Sequence, residues 1–281
     1  QRADHVDRHE EVAGELAEPG KALRGEVGQH RHHAGDRQHE GVEQQQRQER
    51  LKLMSYNIRN GIGIDNIQDI GRIARVILRE APDLVALQEL DSATLRVDGR
   101  YIPGELGRMT GMHATFGRAI GFAGGSYGIG LLSRTEPLAV RSIPLPGREE
   151  ARVLLMAEFP DYTVCVTHLS LTPEDRHASL PLILQATDTC RKPVLLAGDF
   201  NTGDAAAVLA GLGGGFRILS DTTRMTFPSD NPAVRIDYIL GRGLPTSATV
   251  AESAVDHTAT ASDHCPLWVT LVWKRGKQPG K

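Results

Sequence analysis

The sequence predicts an α/β (α+β) fold in which two mixed β-sheets pack face to face with helices on the outside. Three observations carry that expectation. Short apolar runs with strand character outnumber helical stripes, hairpin signals alternate with strand–helix–strand units, and no repeat or internal boundary divides the chain after residue 50. With 281 residues, 40% of them hydrophobic, the chain can enclose one large core.

The first fifty residues form a separate population. They contain no Ile, Phe, Tyr, Trp, Met or Cys, and they hold six of the eleven histidines. Such a stretch buries too little apolar surface to offset chain entropy. Residues 1–50 are therefore expected to be a disordered or non-native tail, and 51–281 a single domain. The tail has no apolar core of the kind a signal peptide carries. Its HRHH run at 30–33 reads as composition rather than as a metal site.

From Leu51 the pattern changes. LKLMSYNI alternates as a strand and breaks at NGIG. DNIQDIGRIARVILRE then places Ile67, Ile70, Ile73, Ile77 and Leu78 on one helical stripe, with Asn66 as the expected cap and Asp69 in the first turn. Pro82 and Asp83 stop that helix, and DLVALQELD is the next strand. Arg100 to Thr110 reads as a short helix. HATFGRAIGF and YGIGLLSR are strands joined through Gly124-Gly125. LAVRSIPL, ARVLLMAEF and TVCVTHLSL follow, the last two paired antiparallel across the PDY turn. Thr172-Pro-Glu-Asp opens a helix to about Cys190, with Pro at its first position. PVLLAGDFN is a strand, followed by an Ala-rich helix, the Gly213–Gly215 loop, and the late strands RIDYILGR and PLWVTLVW.

Bulk composition limits the partners. The chain carries 32 Lys+Arg against 35 Asp+Glu. Proteins that grip duplex DNA through many phosphates usually carry a basic excess, so nucleic acid is permitted but not favoured. No apolar run approaches the ~20 residues of a membrane-spanning helix. Cys165, Cys190 and Cys265 lack metal-site spacing and are odd in number, which points to a reducing compartment and a cytoplasmic location. A monomer is expected.

Polar residues recur where the apolar strands end: Asn57, Glu89, His168, Asp199, Asn201, Asp237 and the pair Asp263-His264. LLAGDFNTGD is the sharpest case. Side chains alternate along a strand, so Asp199 and Asn201 share a face and Phe200 faces the core. Asp, Asn and Gly also make a good turn, and the stretch alone does not separate turn from site. Each other residue has a plain reading too, as a turn former, a cap or a satisfied core group. Taken together, seven strand-end positions of suitable chemistry point to one rim, where a sandwich gathers ligands.

The ordered set SYNIRNG, LQELD, YGIGLLSR, THLS, GDFN, RIDYI and SDHCPL resembles the endonuclease/exonuclease/phosphatase superfamily, whose members include deoxyribonuclease I. The resemblance runs from Leu51 to about Trp273 and implies a four-layer α/β/β/α sandwich. It also implies roles. Glu89 matches an acidic ligand for Mg²⁺ (Mn²⁺ is a possible substitute), Asn57 a neighbouring oxygen donor, and Asp263 a carboxylate of the metal region. Asp199 and Asn201 match the pair that positions water and contacts the phosphoryl group. His264 matches a histidine that polarises water or holds phosphate, with Asp237 orienting its ring. Whether His264 or Asp199 takes the proton stays open. His168 matches a phosphate-facing histidine able to protonate the leaving oxygen. Tyr127 and Arg152 are weaker phosphate-binding candidates, with a hairpin Tyr and a solvated strand Arg as the plain alternatives.

The implied activity is metal-assisted, in-line hydrolysis of a phosphoric ester, as a phosphodiesterase or phosphomonoesterase. THLS resembles the sphingomyelinase, 5-phosphatase and deadenylase branches, and the segment LRVDGRYIPGELGRMTGMH resembles the small bacterial metal-dependent hydrolases of the family; together these favour a small or lipid-derived phosphate. A nuclease is the alternative, and a non-catalytic phosphate-binding domain is an alternative of another class.

Overall fold

The computed structural model describes residues 48–274. Apart from 48–50, which open the first strand, the expectation for residues 1–50 lies outside them. Sixteen elements follow in order: β1 (Gln48–Asn57), α1 (Ile70–Glu80), β2 (Leu84–Ser92), α2 (Ile102–Thr110), β3 (His113–Phe122), β4 (Gly125–Ser133), β5 (Ala139–Leu145), β6 (Arg152–Glu158), β7 (Thr163–His168), α3 (Pro173–Asp188), β8 (Val194–Asp199), α4 (Ala205–Leu212), β9 (Arg217–Ile218), β10 (Asp237–Arg242), β11 (Thr249–Val255) and β12 (Leu267–Lys274).

The strands form two six-stranded sheets, ordered β11-β12-β1-β2-β4-β3 and β5-β6-β7-β8-β10-β9. Each is mixed. The pairs β1/β2 and β7/β8 are parallel, and the other pairs are antiparallel. Strand alternation sorts the apolar residues into three layers. Leu53, Ala86, Leu131, Leu155, Val166, Ala197, Ile239 and Val269 pack between the sheets. Tyr56, Val85, Leu87 and Leu132 face Ile73, Ile77, Ile102 and Leu106 on α1 and α2. Leu154, Cys165, Leu196 and Tyr238 face Leu180, Ile183, Val208 and Leu212 on α3 and α4. The order is helix, sheet, sheet, helix, as expected.

Local chemistry sets the boundaries. α1 starts at Ile70 because Asp69, not Asn66, caps it, accepting from the Arg72 N–H. Asn66 takes a left-handed φ of 58° outside the helix. The expected stripe is therefore shifted: Ile67 and Leu78 are 60% and 52% exposed, and Ala74 and Val76 complete the buried face. α2 begins at Ile102, two residues later than expected, with Pro103 in its first turn. α3 ends at Asp188, short of Cys190. β9 and β11 are additions to the expected strand set. Among the described residues no helix is long and apolar enough to cross a membrane.

Candidate active site

Period-two alternation carries the inter-sheet face of β1, β4, β7, β8 and β10 outward to a polar residue at or near one end of the strand. Val164 and Val166 lead to His168 on β7, and Leu195 and Ala197 lead to Asp199 on β8. On β10 Ile239 leads back to Asp237, on β4 Leu131 and Ile129 lead back to Tyr127, and on β1 Leu51 and Leu53 lead to Ser55 and Asn57. The registers Asn57↔Gln88, His168↔Asp199 and Asp237↔Asp199 set these ends side by side. The site is the polar rim of the central apolar layer.

Glu89 breaks the alternation. Leu84 and Ala86 face the other sheet, Val85 and Leu87 face the helices, and a regular strand would send Glu89 toward the helices. A register shift between Leu87 and Leu90, with a left-handed φ of 58° at Glu89, turns the side chain to the rim. There its Oε1 accepts a hydrogen bond from Asn57 Nδ2 at 3.0 Å.

One oxygen of Asp199 is the focus. Asn57 Nδ2 donates to Asp199 Oδ2 at 3.2 Å, and His168 Nε2 and His264 Nε2 lie 3.6 and 3.7 Å from it. The other oxygen accepts the Asn201 N–H at 2.8 Å. His264 Nδ1 meets Asp237 Oδ2 at 3.0 Å, and that oxygen also accepts from Thr226 Oγ1 at 2.6 Å. Asp237 Oδ1 is buried without a hydrogen-bond partner among the described residues. The Phe227 ring packs against the imidazole of His264 at 4.8 Å.

These contacts polarise the groups in opposite directions. Burial lifts the Asp199 carboxyl above the usual carboxylate range and the Asp237 charge adds to this, against His264, Asn201 and Asn57. Burial alone would depress His264, but the charge and hydrogen bond of Asp237, with Asp199 and Asp263 behind, override it and hold the imidazole above its ordinary value. His168 is driven well below its ordinary value by burial, then by Arg152 and His264.

The structure thus brings Asn57, Glu89, His168, Asp199, Asp237 and His264 into one hydrogen-bonded or close-packed group. Asn57 enters it as a bridging donor, and its oxygen accepts the Arg59 N–H. Asp263 lies beside the group, with Oδ2 turned to Arg59 Nε at 3.5 Å. Asn201 braces it from outside the strand: its φ is 51° and its amide nitrogen donates to the Leu169 carbonyl. The two therefore meet through a turn, not through shared strand facing. Tyr127, Arg152 and His168 line one small cavity, where the terminal nitrogens of Arg152 are engaged by Glu149 and Glu150.

Sequence reasoning missed the supports. Thr226 comes from the β9–β10 connection, and no motif marks it. Ser262, in the quoted SDHCPL, donates to the Asn57 carbonyl at 2.7 Å and ties the His264 loop to β1. Gln88, in LQELD, is fully buried beside Asn57, and neither end of its amide has a partner among the described residues. Cavity size does not locate the site. A cleft of about 600 Å³, lined by Arg141, Glu158, Cys190 and Lys192, lies by Thr163 at the opposite end of β7.

Metal-ligand chemistry distinguishes two places. Asp199, Asp237 and His264 offer ligand atoms within 4.8 Å of one another, but hydrogen bonds already engage the facing Asp237 oxygen and His264 Nδ1. Glu89 is half-buried, and among the described residues its one hydrogen bond comes from Asn57. A half-buried carboxylate with one oxygen unengaged among the described residues suits a hard divalent cation better.

The comparisons with known proteins agree with this architecture. No curated protein matches the sequence. Among solved structures, an endonuclease/exonuclease/phosphatase from Beutenbergia cavernae is 24% identical, with a TM-score of 0.64 over 80% of this chain and 72% of that one. The mannosyl-6-phosphatase Bt3783 of Bacteroides thetaiotaomicron is 19% identical, with a TM-score of 0.63 over 79% of this chain and 99% of its own. D. rerio TDP2 complexed with a single-strand DNA product is 23% identical, with a TM-score of 0.60 over 79% and 98%. At these identities the likeness shows the fold. Residues 54–264, from the second half of β1 to His264, match the family model described as the Endonuclease/Exonuclease/phosphatase family, and the chain belongs to that family.

Proposed function

We propose that the protein is a Mg²⁺-dependent phosphoric-ester hydrolase acting on a small or lipid-derived phosphate. The observation that carries this reading is the convergence of Asn57, His168 and His264 on Asp199 Oδ2, with Glu89 one amide away. Glu89 would hold the ion, with Asn57 and Asp263 flanking it. When bound, Mg²⁺ neutralises phosphoryl charge and lowers the pKa of water.

The chain's own residues supply the rest. Asp199, buried and raised, is suited to take a proton from the attacking water, whose oxygen forms the new bond to phosphorus. His264, clamped between Asp237 and Asp199, presents a protonated Nε2–H to a phosphoryl oxygen. It can also protonate the leaving oxygen as the P–O ester bond breaks. Its charge state favours it over His168 for that step. His168, pushed toward its neutral form, faces Asp199 Oδ2 at 3.6 Å as a neutral imidazole. The mannosyl-6-phosphatase supports a small phosphate, whereas the DNA-product complex supports the nuclease alternative. The acidic formal charge of −3 weighs against avid duplex binding.

Turnover of bis(p-nitrophenyl) phosphate with and without Mg²⁺ tests the class. Plasmid nicking, against phosphate release from sugar phosphates and phospholipid headgroups, tests the substrate. Folded wild-type protein inert toward every ester with either ion would leave only the binding-domain alternative.

A further inference from the structure

Beyond Glu89 the rim carries an ordered surface that the hydrolytic step does not use. After β2 the chain makes a short 3₁₀ turn, Leu95–Val97, pinned to the β3–β4 hairpin by Leu95 N–H donating to the Ala123 carbonyl at 2.8 Å. Leu95 is 77% exposed, the most exposed large apolar side chain among the described residues, and Phe122 on the hairpin is 39% exposed. Between them and the site lies Arg96. Its guanidinium covers the Phe122 ring at 4.6 Å and the Tyr127 ring at 5.1 Å, and those rings are 6.3 Å apart. Arg96 Nε donates to Asp91 Oδ2 at 2.6 Å and Nη2 to Asn60 Oδ1 at 2.7 Å, which fixes the fork. Tyr127, at the inner end, is buried and lies within the field of Glu89.

Neutralising the buried Asp91 accounts for Arg96 alone. It does not account for a backbone-pinned turn that holds Leu95 out in water beside a half-covered aromatic ring. A lone exposed apolar residue is ordinary, but here the backbone of Leu95 is pinned next to the hairpin that carries Phe122, and adjoining apolar surface at the edge of a site marks a place for a ligand's apolar group. The surface is continuous from Leu95 and Phe122 through Arg96 to Tyr127 and ends beside Glu89.

We propose that Leu95, Phe122 and Arg96 form a substrate shelf that seats an apolar substituent of the scissile phosphodiester, so the substrate class is a diester with one hydrocarbon arm. The arm lies on Leu95 and the exposed edge of Phe122, whose ring Arg96 holds beside Tyr127. This rests on the hydrolase reading and narrows it to the apolar esters within it.

The test is a homologous series of alkyl p-nitrophenyl phosphates, from methyl to hexyl, hydrolysed with Mg²⁺ by wild type, Leu95→Ser and Phe122→Ser. Full burial contributes about 0.8 kcal/mol per methylene, close to fourfold, so a one-sided shelf should raise kcat/KM about twofold per methylene. Either serine variant should flatten the hexyl-to-methyl ratio, a ratio within one protein that cancels general losses of activity. A flat wild-type series, or variants that keep the wild-type slope, would overturn the shelf. If wild type hydrolysed no ester, the hydrolase reading would fail, and calorimetric titration with hexyl and methyl phosphate would read the shelf separately. Tighter hexyl binding that Leu95→Ser removes would retain it, and equal affinities would end it.

Discussion

Asp237→Asn isolates the contact on which the proposed chemistry depends most. Asparagine keeps the shape of the side chain and can still accept from Thr226, but it removes the charge that faces His264 Nδ1 at 3.0 Å. A charge-assisted hydrogen bond contributes about 1.5–3 kcal/mol. At about 1.4 kcal/mol per tenfold in rate, its loss should lower kcat/KM for bis(p-nitrophenyl) phosphate by roughly ten- to a hundredfold. Stability gives an independent readout with a fixed sign. Asp237 holds His264 above its unfolded value, so the pair's contribution is complete below about pH 6.5. It is lost as pH rises through the raised folded value. The same carboxylate also pushes Asp199 up, a cost to folding once Asp199 must ionise, and asparagine relieves it. Both effects make the stability gap between wild type and variant widest near pH 6 and narrower toward pH 9, measured by urea denaturation. A variant with near wild-type kcat/KM, or a gap that widens as pH rises, would refute this account of the pair.

Four further outcomes follow from single contacts. Glu89→Gln should shift the Mg²⁺ concentration for half-maximal turnover upward by at least tenfold, and chelation of the wild type should abolish turnover; an unshifted Mg²⁺ curve would remove Glu89 from the metal site. Gly198→Ala places a Cβ 2.0 Å from the Thr167 carbonyl oxygen in the parallel β7/β8 pair, so it should cost more than about 3 kcal/mol in denaturant unfolding. Ser262→Ala removes a buried 2.7 Å hydrogen bond to the Asn57 carbonyl and should cost about 1–3 kcal/mol. Glu149 would be raised by burial, but Ser170, backbone N–H groups and Arg152 hold it at about 2. Its contribution is present above its unfolded pKa of about 4.3 and is lost as pH falls toward 2. The Tm difference between wild type and Glu149→Gln should vanish over that interval.

The layers of the fold were readable because both periodicities are strong where both neighbours are apolar. β2 and β8 are buried on two faces and open as aliphatic runs, LVAL and VLLA. The misses have the opposite character. β11 is an edge strand with four exposed residues at its start, so its TVAESAV has little buried pattern to read. β9 is two residues long and exists through its pairing with Leu240 and Gly241. The start of α1 failed for a local reason: Asn66 and Asp69 are both good caps, and only the left-handed backbone at Asn66 decides between them.

The candidate site was legible as a set of residues that converge but not as a geometry, and GDFN shows why. Alternation puts Asp199 at the rim, yet the strand stops there, and Asn201 reaches the group through a left-handed turn that donates its backbone N–H to the carboxylate. The turn reading and the site reading of this stretch are therefore the same structure: the turn aims Asp199 Oδ2 at the histidines by occupying Oδ1. Glu89 makes the same point more strongly. A regular strand would bury it toward the helices, so its place beside Asn57 requires the bulge between Leu87 and Leu90 and the left-handed φ that comes with it. Left-handed backbone at a non-glycine residue costs about 1–3 kcal/mol and persists only where surrounding structure enforces it. Here a sheet paired on both sides, to β1 and to β4, enforces it. The two residues whose directions pattern could not foresee are those that set the distance between the carboxylate open to a cation and the carboxylate open to the histidines.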